Sequence, residues 1–374
     1  MSHQPSNSLY QGKRVALVLG SGGARGYAHI GVIDELEARG YEIVAISGCS
    51  MGALIGGIYA AGKLQGYRDW VRHLDYFDVL RLVDVTWSPM GAMRGSKVMS
   101  KLETLIGDTR IEDLAIAFTT VATDLNRQRE VWFQSGSLLD AIRASIAVPG
   151  VITPVHRGDQ VLVDGGLLNP LPITPTVSAH ADFVLAVNAT AHSPRPITLE
   201  ELLPLPADEA KPDTPAMTNE IANSPQLSGW MEDVKGAARR MLDGFGSGAN
   251  DEDDPDEHDR GKRAWGRLDM ILASFDITQA SLAKYKIAGY PPDVLIEVPK
   301  TVCGAYEFHR AEALITLGRH LAVEALDRFE GRAPSGWGSR AITAEPDDAN
   351  ANANAEDDAR TDAGSDDRAQ DKRR

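Results

Sequence analysis

The chain has 374 residues, 43% of them hydrophobic and 24% charged, enough apolar material to bury one large domain or two smaller ones. Its formal charge of -15, much of it in residues 251–257 and in the run from 345 to 371, leaves no basic stripe, which argues against a nucleic-acid partner. Cys49 and Cys303 are the only cysteines, the polar start over 1–14 lacks the apolar core of a signal peptide, and no apolar run reaches the roughly 20 residues of a bilayer span. These features predict a cytoplasmic protein without a structural disulfide, touching a membrane only peripherally at its inner face.

Residues 14–19 form a short apolar run that reads as a first buried parallel strand. A glycine-rich loop over 21–26 leads into a helix over 27–40, where Val32, Ile33 and Leu36 recur at helical spacing and Gly40 closes the end. Residues 41–46 read as a second buried strand and 53–61 as a second helix. Between these two lies Ser47-Gly48-Cys49-Ser50-Met51-Gly52-Ala53, a G-x-S-x-G pattern at a strand-to-helix turn. Gly48 and Gly52 would let strand and helix pack closely and put the strain on Ser50. Its Oγ is then expected to be exposed at the carboxyl end of the sheet, beside the positive end of the helix. Taken alone, the pattern fits an ordinary small-residue turn as well. Strand, glycine loop, helix, strand, elbow, helix predicts a sheet covered on both faces, with functional groups at the carboxyl ends of its strands.

The glycine loop also invites a dinucleotide reading. Counted from Gly20 the sixth place holds Arg25, counted from Ser21 the first place holds serine, and no acid ends the second strand to hold a ribose. An oxyanion hole fits better, since glycines let backbone N–H groups converge on an anion at a helix start.

Helices are expected over 67–74 and 97–106, with Trp87, Met90 and Met93 either lining a pocket or packing as core. Strands are expected over 116–123 and 130–133, joined by a polar turn, then a helix over 138–147 stopped by Val148-Pro149-Gly150. A strand over 160–164 ends in Asp164, after which Gly165 and Gly166 permit a sharp turn and Pro170 and Pro172 stiffen the loop. Asp164 is a turn former if read alone and an acid at a strand end if read beside the elbow. After a strand over 182–188 the chain turns polar and proline-rich to residue 250, with a helix expected only around 230–242. The acidic run over 251–259 reads as a solvated linker without the glycine and closing glutamate of a calcium loop. A helix over 264–283, a strand over 293–298 and a long helix over 306–330 follow, and from 331 periodicity is lost, which predicts a disordered tail.

Three motifs in this order resemble the patatin-like phospholipases, especially the bacterial branch similar to the esterase domain of neuropathy target esterase: the glycine loop over 21–26, the elbow from Gly48 to Gly52, and Asp164-Gly165-Gly166. The likeness runs from about 14 to 188 and resumes over 293–330, where Tyr306-Glu307-Phe308-His309-Arg310-Ala311 looks like the closing helix of bacterial members. Two positions depart from the pattern. Ser21 stands where the family usually has glycine, which would weaken the enzyme if a positive φ were required there, and Cys49 stands where threonine is common.

The resemblance implies a three-layer α/β/α domain with a mostly parallel sheet over 14–332, of which 14–190 and 262–332 are core and about 193–261 an insertion. An extension over 1–13 and the tail over 333–374 flank it. It implies hydrolysis of lipid or lysophospholipid acyl esters by a Ser50–Asp164 dyad, without metal or cofactor. Backbone N–H groups of Gly22, Gly23, Ala24, Arg25 and Met51 would form the oxyanion hole, framed by Ser21 and Gly26. A Ser–His–Asp triad stays open as an alternative, because His180, His309 and His320 follow Asp164, and so does a non-catalytic adaptor of the same fold. His29 is expected to be a packed or supporting residue. In a dyad no histidine is indispensable, and the rate is expected to persist well below the imidazole range near pH 6.5.

Overall fold

The computed structural model describes residues 10–82, 85–88, 91–203 and 267–332. Strands and helices first alternate as β1 (Arg14–Leu19), α1 (Ala28–Ala38), β2 (Glu42–Cys49) and α2 (Met51–Ala60). Then come α3 (Leu64–Arg72), α4 (Tyr76–Leu82), β3 (Val85–Ser88), β4 (Gly91–Met93) and α5 (Ser96–Ile106). The middle of the chain supplies β5 (Ala117–Asp124), β6 (Arg129–Phe133), α6 (Leu138–Ser145), β7 (Gly150–Ile152), β8 (Val155–Arg157) and β9 (Gln160–Asp164). The remainder is β10 (Phe183–Ala191), α7 (Leu199–Leu202), α8 (Arg267–Gly289), β11 (Val294–Pro299) and α9 (Ala311–Phe329).

One large sheet carries the order β11-β10-β1-β2-β5-β9-β8, with β6 beside β5. The run from β11 to β5 is parallel, whereas β6, β9 and β8 join antiparallel. β1 is central, and its alternation sorts two cores. Val15, Leu17 and Leu19 point into the larger cluster, with Ile30 and Ile33 of α1, Ile55 and Ile58 of α2, and Leu314 and Leu317 of α9. Val18 points to the other face, where Leu171, Ile173, Ala186 and Ala283 of α8 gather. The result is a layer of helices on each side of the sheet, as the apolar runs require when both faces of a strand are buried.

The sequence placed most elements within a few residues. The expected helix over 306–330 is shorter: Tyr306 lies in a loop, Phe308–Arg310 is a 3-10 turn, and α9 begins at Ala311. Met90, the expected helix over 230–242, the acidic run and the tail from 333 lie outside the described residues, while Trp87 falls on β3 and Met93 on β4.

The carboxyl end of α9 is locked to α1 by Arg39, a side chain only 11% exposed, which meets Glu35 at 2.8 Å, Asp327 at 2.9 Å and Glu330 at 3.0 Å. Tyr41 donates its hydroxyl to the same Glu330 at 2.8 Å. Arg319, 3.3 Å from Glu35, and Arg332, 2.9 Å from Glu330, each meet one of these carboxylates, whereas Arg39 joins all three, so removing it breaks the network at a cost of about 3 kcal/mol. Arg39→Met is therefore expected to lower Tm by roughly 10 °C at pH 7.5. Thermal unfolding of parent and variant side by side checks this.

Candidate active site

The carboxyl ends of β1, β2 and β9 bring the three motifs together. At the elbow, Ser50 adopts φ 54 and ψ -120 as the N-cap of α2, a conformation that costs a non-glycine residue on the order of 1–3 kcal/mol. Close packing enforces it. A Cβ on Gly52 would collide with the Leu19 carbonyl, so only glycine lets α2 start against the end of β1. The Ser50 N–H donates to Ser145 Oγ at 2.9 Å, and that hydroxyl donates to the Val121 carbonyl at 2.7 Å, tying the strained residue to α6 and β5. Met51 opens α2, so its N–H is one of the helix's unpaired first-turn donors. Contrary to the expected exposure, Ser50 is only 6% accessible.

Asp164 ends β9 fully buried. Its Oδ1 accepts the Gly166 N–H at 2.7 Å and faces the Cys49 thiol at 3.9 Å, while Oδ2 has no hydrogen-bond partner. Burial pushes its pKa up from the ordinary carboxylate range to about 7, against a downward pull from the Ser50 hydroxyl, the Gly166 N–H and the Cys49 thiol. The Ser50 hydroxyl is thus close enough to act on the carboxylate, although the unpaired Oδ2 makes no well-formed bond. Cys49 is a buried free thiol, and burial together with the Asp164 and Glu130 charges raises its pKa.

The glycine loop has Gly23 at φ 58 and leads into a 3-10 turn over Gly23–Tyr27. Ser21 has no positive φ, so the serine in place of glycine is accommodated; its N–H donates to the Pro170 carbonyl at 2.8 Å. The Ala24 N–H, expected in an oxyanion hole, donates instead to the Ala305 carbonyl at 2.8 Å. That loop reaches over the glycines from β11, a closure invisible in local sequence. Arg25 is 3% exposed, and its guanidinium reaches the Gly22 carbonyl at 3.0 Å, the Lys300 carbonyl at 3.2 Å and Asp276 at 3.0 Å. Gly26 packs against the Met51 side chain, and Gly165 against Val121 and Cys49. Ser47 Oγ donates to the Pro172 carbonyl at 2.5 Å, joining the elbow strand to the loop after Asp164.

No histidine takes part in the hydrogen bonds of Ser50 or Asp164 among the described residues. His29 is fully buried, its Nε2 2.9 Å from the Gly20 carbonyl, and burial drives its pKa down to about 4. It is therefore a neutral donor that orients the start of the glycine loop. His180 precedes β10, at the amino edge of the parallel strands and so opposite the site. His309 packs its ring against Tyr76 at 5.7 Å, and His320 lies along α9. No group of three or more His, Cys, Asp or Glu able to hold a metal occurs among the described residues.

Several neighbours of the site carry no sequence signature. Ser145 is one small residue in an amphipathic helix. Gln279, 4% exposed on α8, packs its amide against Gly166. Tyr306, 44% exposed in the loop before α9, has its phenol pushed up to about 12 by burial and then by the Asp164 and Asp276 charges, with Arg25 opposing. Only the return of distant segments assembles these groups.

A profile of the patatin-like phospholipases matches residues 17–177. An uncharacterized NTE family protein of Mycobacterium tuberculosis is 41% identical over 348 residues, spanning 85% of this chain and 92% of its own. Lysophospholipase nte1 of Emericella nidulans is 31% identical over 185 residues, spanning 47% of this chain and 12% of its own. Patatin-like phospholipase domain-containing protein 6 of Mus musculus is 33% identical over 185 residues, spanning 47% and 14%.

The raised Asp164 pKa sets a stability signature. The folded state holds the proton to about pH 7, whereas an unfolded aspartate releases it near 3.9. The protonated form's advantage is complete below about pH 4 and lost as pH rises through 7, a difference of up to about 4 kcal/mol. Asp164→Asn, neutral at every pH, is expected to melt above the parent at pH 8 and much closer to it at pH 5, as calorimetry at the two values would read.

Proposed function

The chain belongs to the NTE branch of the patatin-like phospholipase family, and from that premise and the site geometry we propose that it is a serine hydrolase of lipid acyl esters, lysophospholipids among them. Ser50 Oγ attacks the ester carbonyl and its proton passes to Asp164. The tetrahedral oxyanion is held by the N–H of Met51 at the start of α2 and by those of Gly22 and Gly23. Collapse expels the alcohol, which takes the proton from Asp164. Water then gives a proton to Asp164 as its oxygen attacks the acyl-enzyme, and collapse frees the fatty acid while the departing Ser50 Oγ takes that proton back from Asp164. The chemistry calls for no metal or cofactor.

The observation that carries this reading is the pairing of a strained serine with a fully buried carboxylate whose Oδ2 is unspent. Both features oppose folding, and neither would be needed by an adaptor of the same shape. No helix among the described residues is long and apolar enough to cross a membrane. Lipid would then be met by transient surface contact, for which Tyr76 at 47%, Phe77 at 48% and Tyr306 at 44% exposure are the candidate aromatic groups.

A fluorophosphonate probe is expected to label Ser50 of the parent and to leave folded Ser50→Ala unlabelled and inactive. Labelling or parental turnover of Ser50→Ala overturns the assignment. The base works only when deprotonated, so kcat/KM should fall tenfold per pH unit below a midpoint near 7. This revises the expectation of activity far below the imidazole range: burial has moved the carboxylate into that range, and only substitution separates the two groups. Asp164→Asn should lose at least a thousandfold, while His180→Ala, His309→Ala and His320→Ala each stay within roughly tenfold of the parent. A single histidine variant, folded yet as inactive as Ser50→Ala, would establish a triad.

A further inference from the structure

α8 lies against both loops of the site. Asp276, Gln279, Ala283 and Lys286 share one helical face at spacings of three and four, with Asp276 and Lys286 about 15 Å apart along the axis. At one end Asp276 meets Arg25 of the glycine loop at 3.0 Å. At the other, Lys286 meets Glu130 at 2.9 Å, Glu130 accepts from Asn169 Nδ2 at 2.8 Å, and the Asn169 N–H donates to the Gly165 carbonyl at 2.8 Å. Between them Gln279 rests on Gly166 and Ala283 is buried in the core of that face. The helix therefore ties the oxyanion side of the site to the acid side.

We propose that Asp276 is a positioning residue for ester hydrolysis, acting through Arg25 to aim the Gly23 N–H at the oxyanion. The peptide unit between Gly22 and Gly23 is planar, with its C=O and N–H pointing in opposite directions. Arg25 Nε holds that C=O at 3.0 Å, so the bond fixes where the Gly23 N–H points. Two adjacent glycines offer little resistance to a peptide flip, and the orientation depends on this external hold. Arg25 is almost wholly buried and its other contacts are the Lys300 carbonyl and Asp276, so Asp276 supplies the countercharge that keeps the guanidinium in register. Lys300 also faces Asp276, 3.8 Å from its Oδ2, at the more open side of the pair. The inference rests on the hydrolase reading above.

The test uses the full chain with p-nitrophenyl butyrate as soluble ester and a fluorophosphonate as probe of Ser50. Asp276→Ala is expected to lower kcat about 10- to 100-fold, with KM within threefold and the midpoint of the acid limb unchanged, because an oxyanion donor is misplaced while Asp164 is untouched. Asp276→Glu should recover a large part of the rate. Arg25→Met and the double variant Arg25→Met, Asp276→Ala should be equally slow, since two members of one unit do not add. The contacts of Gln279, Ala283 and Lys286 keep α8 in place, but loss of the Arg25 countercharge should lower the melting temperature by several degrees, so turnover is read well below the transition of every variant. If Asp276→Ala fails to fold, the isosteric Asp276→Asn gives the same reading with a loss of about fivefold. Turnover within twofold of the parent for every folded Asp276 variant, a multiplicative double variant, or a loss that tracks Tm and is not recovered by Asp276→Glu overturns the proposal. A parent that is not labelled at Ser50 overturns the hydrolase reading and the proposal with it, whereas a labelled parent beside an equally fast Asp276→Ala overturns the proposal alone.

Discussion

The contact of the first turn of α2 with the carboxyl end of β1 governs the site. Gly52 lies against the Leu19 carbonyl, and Gly48 lies against Gly52. With the helix brought this close, the chain has no room for a relaxed turn and Ser50 is driven to positive φ. The same approach points the unpaired N–H groups at the start of α2 toward the serine, so strain and electrostatic preorganisation have one origin. Ser145 completes the arrangement by accepting the Ser50 N–H, which a strand-to-helix turn would otherwise leave buried and unpaired.

Burial acts in opposite directions on Asp164 and His29. It raises Asp164 to about 7 and lowers His29 to about 4, in each case because the charged form is denied water. The carboxylate changes charge near neutrality, and the imidazole is a neutral donor above about pH 4. A histidine beside a serine motif therefore has a structural task here, holding the Gly20 carbonyl and, through that peptide plane, the Ser21 N–H on Pro170. A site with a raised carboxylate and no imidazole in contact can place its acid limb where a histidine would.

The remaining polar contacts distribute the site over distant parts of the chain. The loop before α9 caps the glycine turn through Ala305, and α8 reaches the two motif loops through Asp276 and Lys286. These bonds are buried or half-buried, where a hydrogen bond to a charged group is worth more than at an open surface. Ser50 is almost closed to water, and electrostatic interactions at the elbow are stronger for it.

Local pattern determined a good deal by itself. The apolar runs at 14–19 and 41–46 had to be buried strands, the glycines had to sit where backbone approaches backbone, and Ser50 and Asp164 stood at strand ends, although the strand of Asp164 proves to run antiparallel to its neighbour. Motif order linked these into one family, since each motif is specified by residues adjacent in the chain. Tertiary structure decided what depends on contacts between segments far apart: that Ala24 spends its N–H on Ala305, that Arg25 points away from the elbow into a clamp with Asp276, that Ser145 supports the elbow, and that Asp164 titrates near 7. Periodicity records which face of an element is buried, and it carries no information on which distant carbonyl or carboxylate will face that element once the chain has folded.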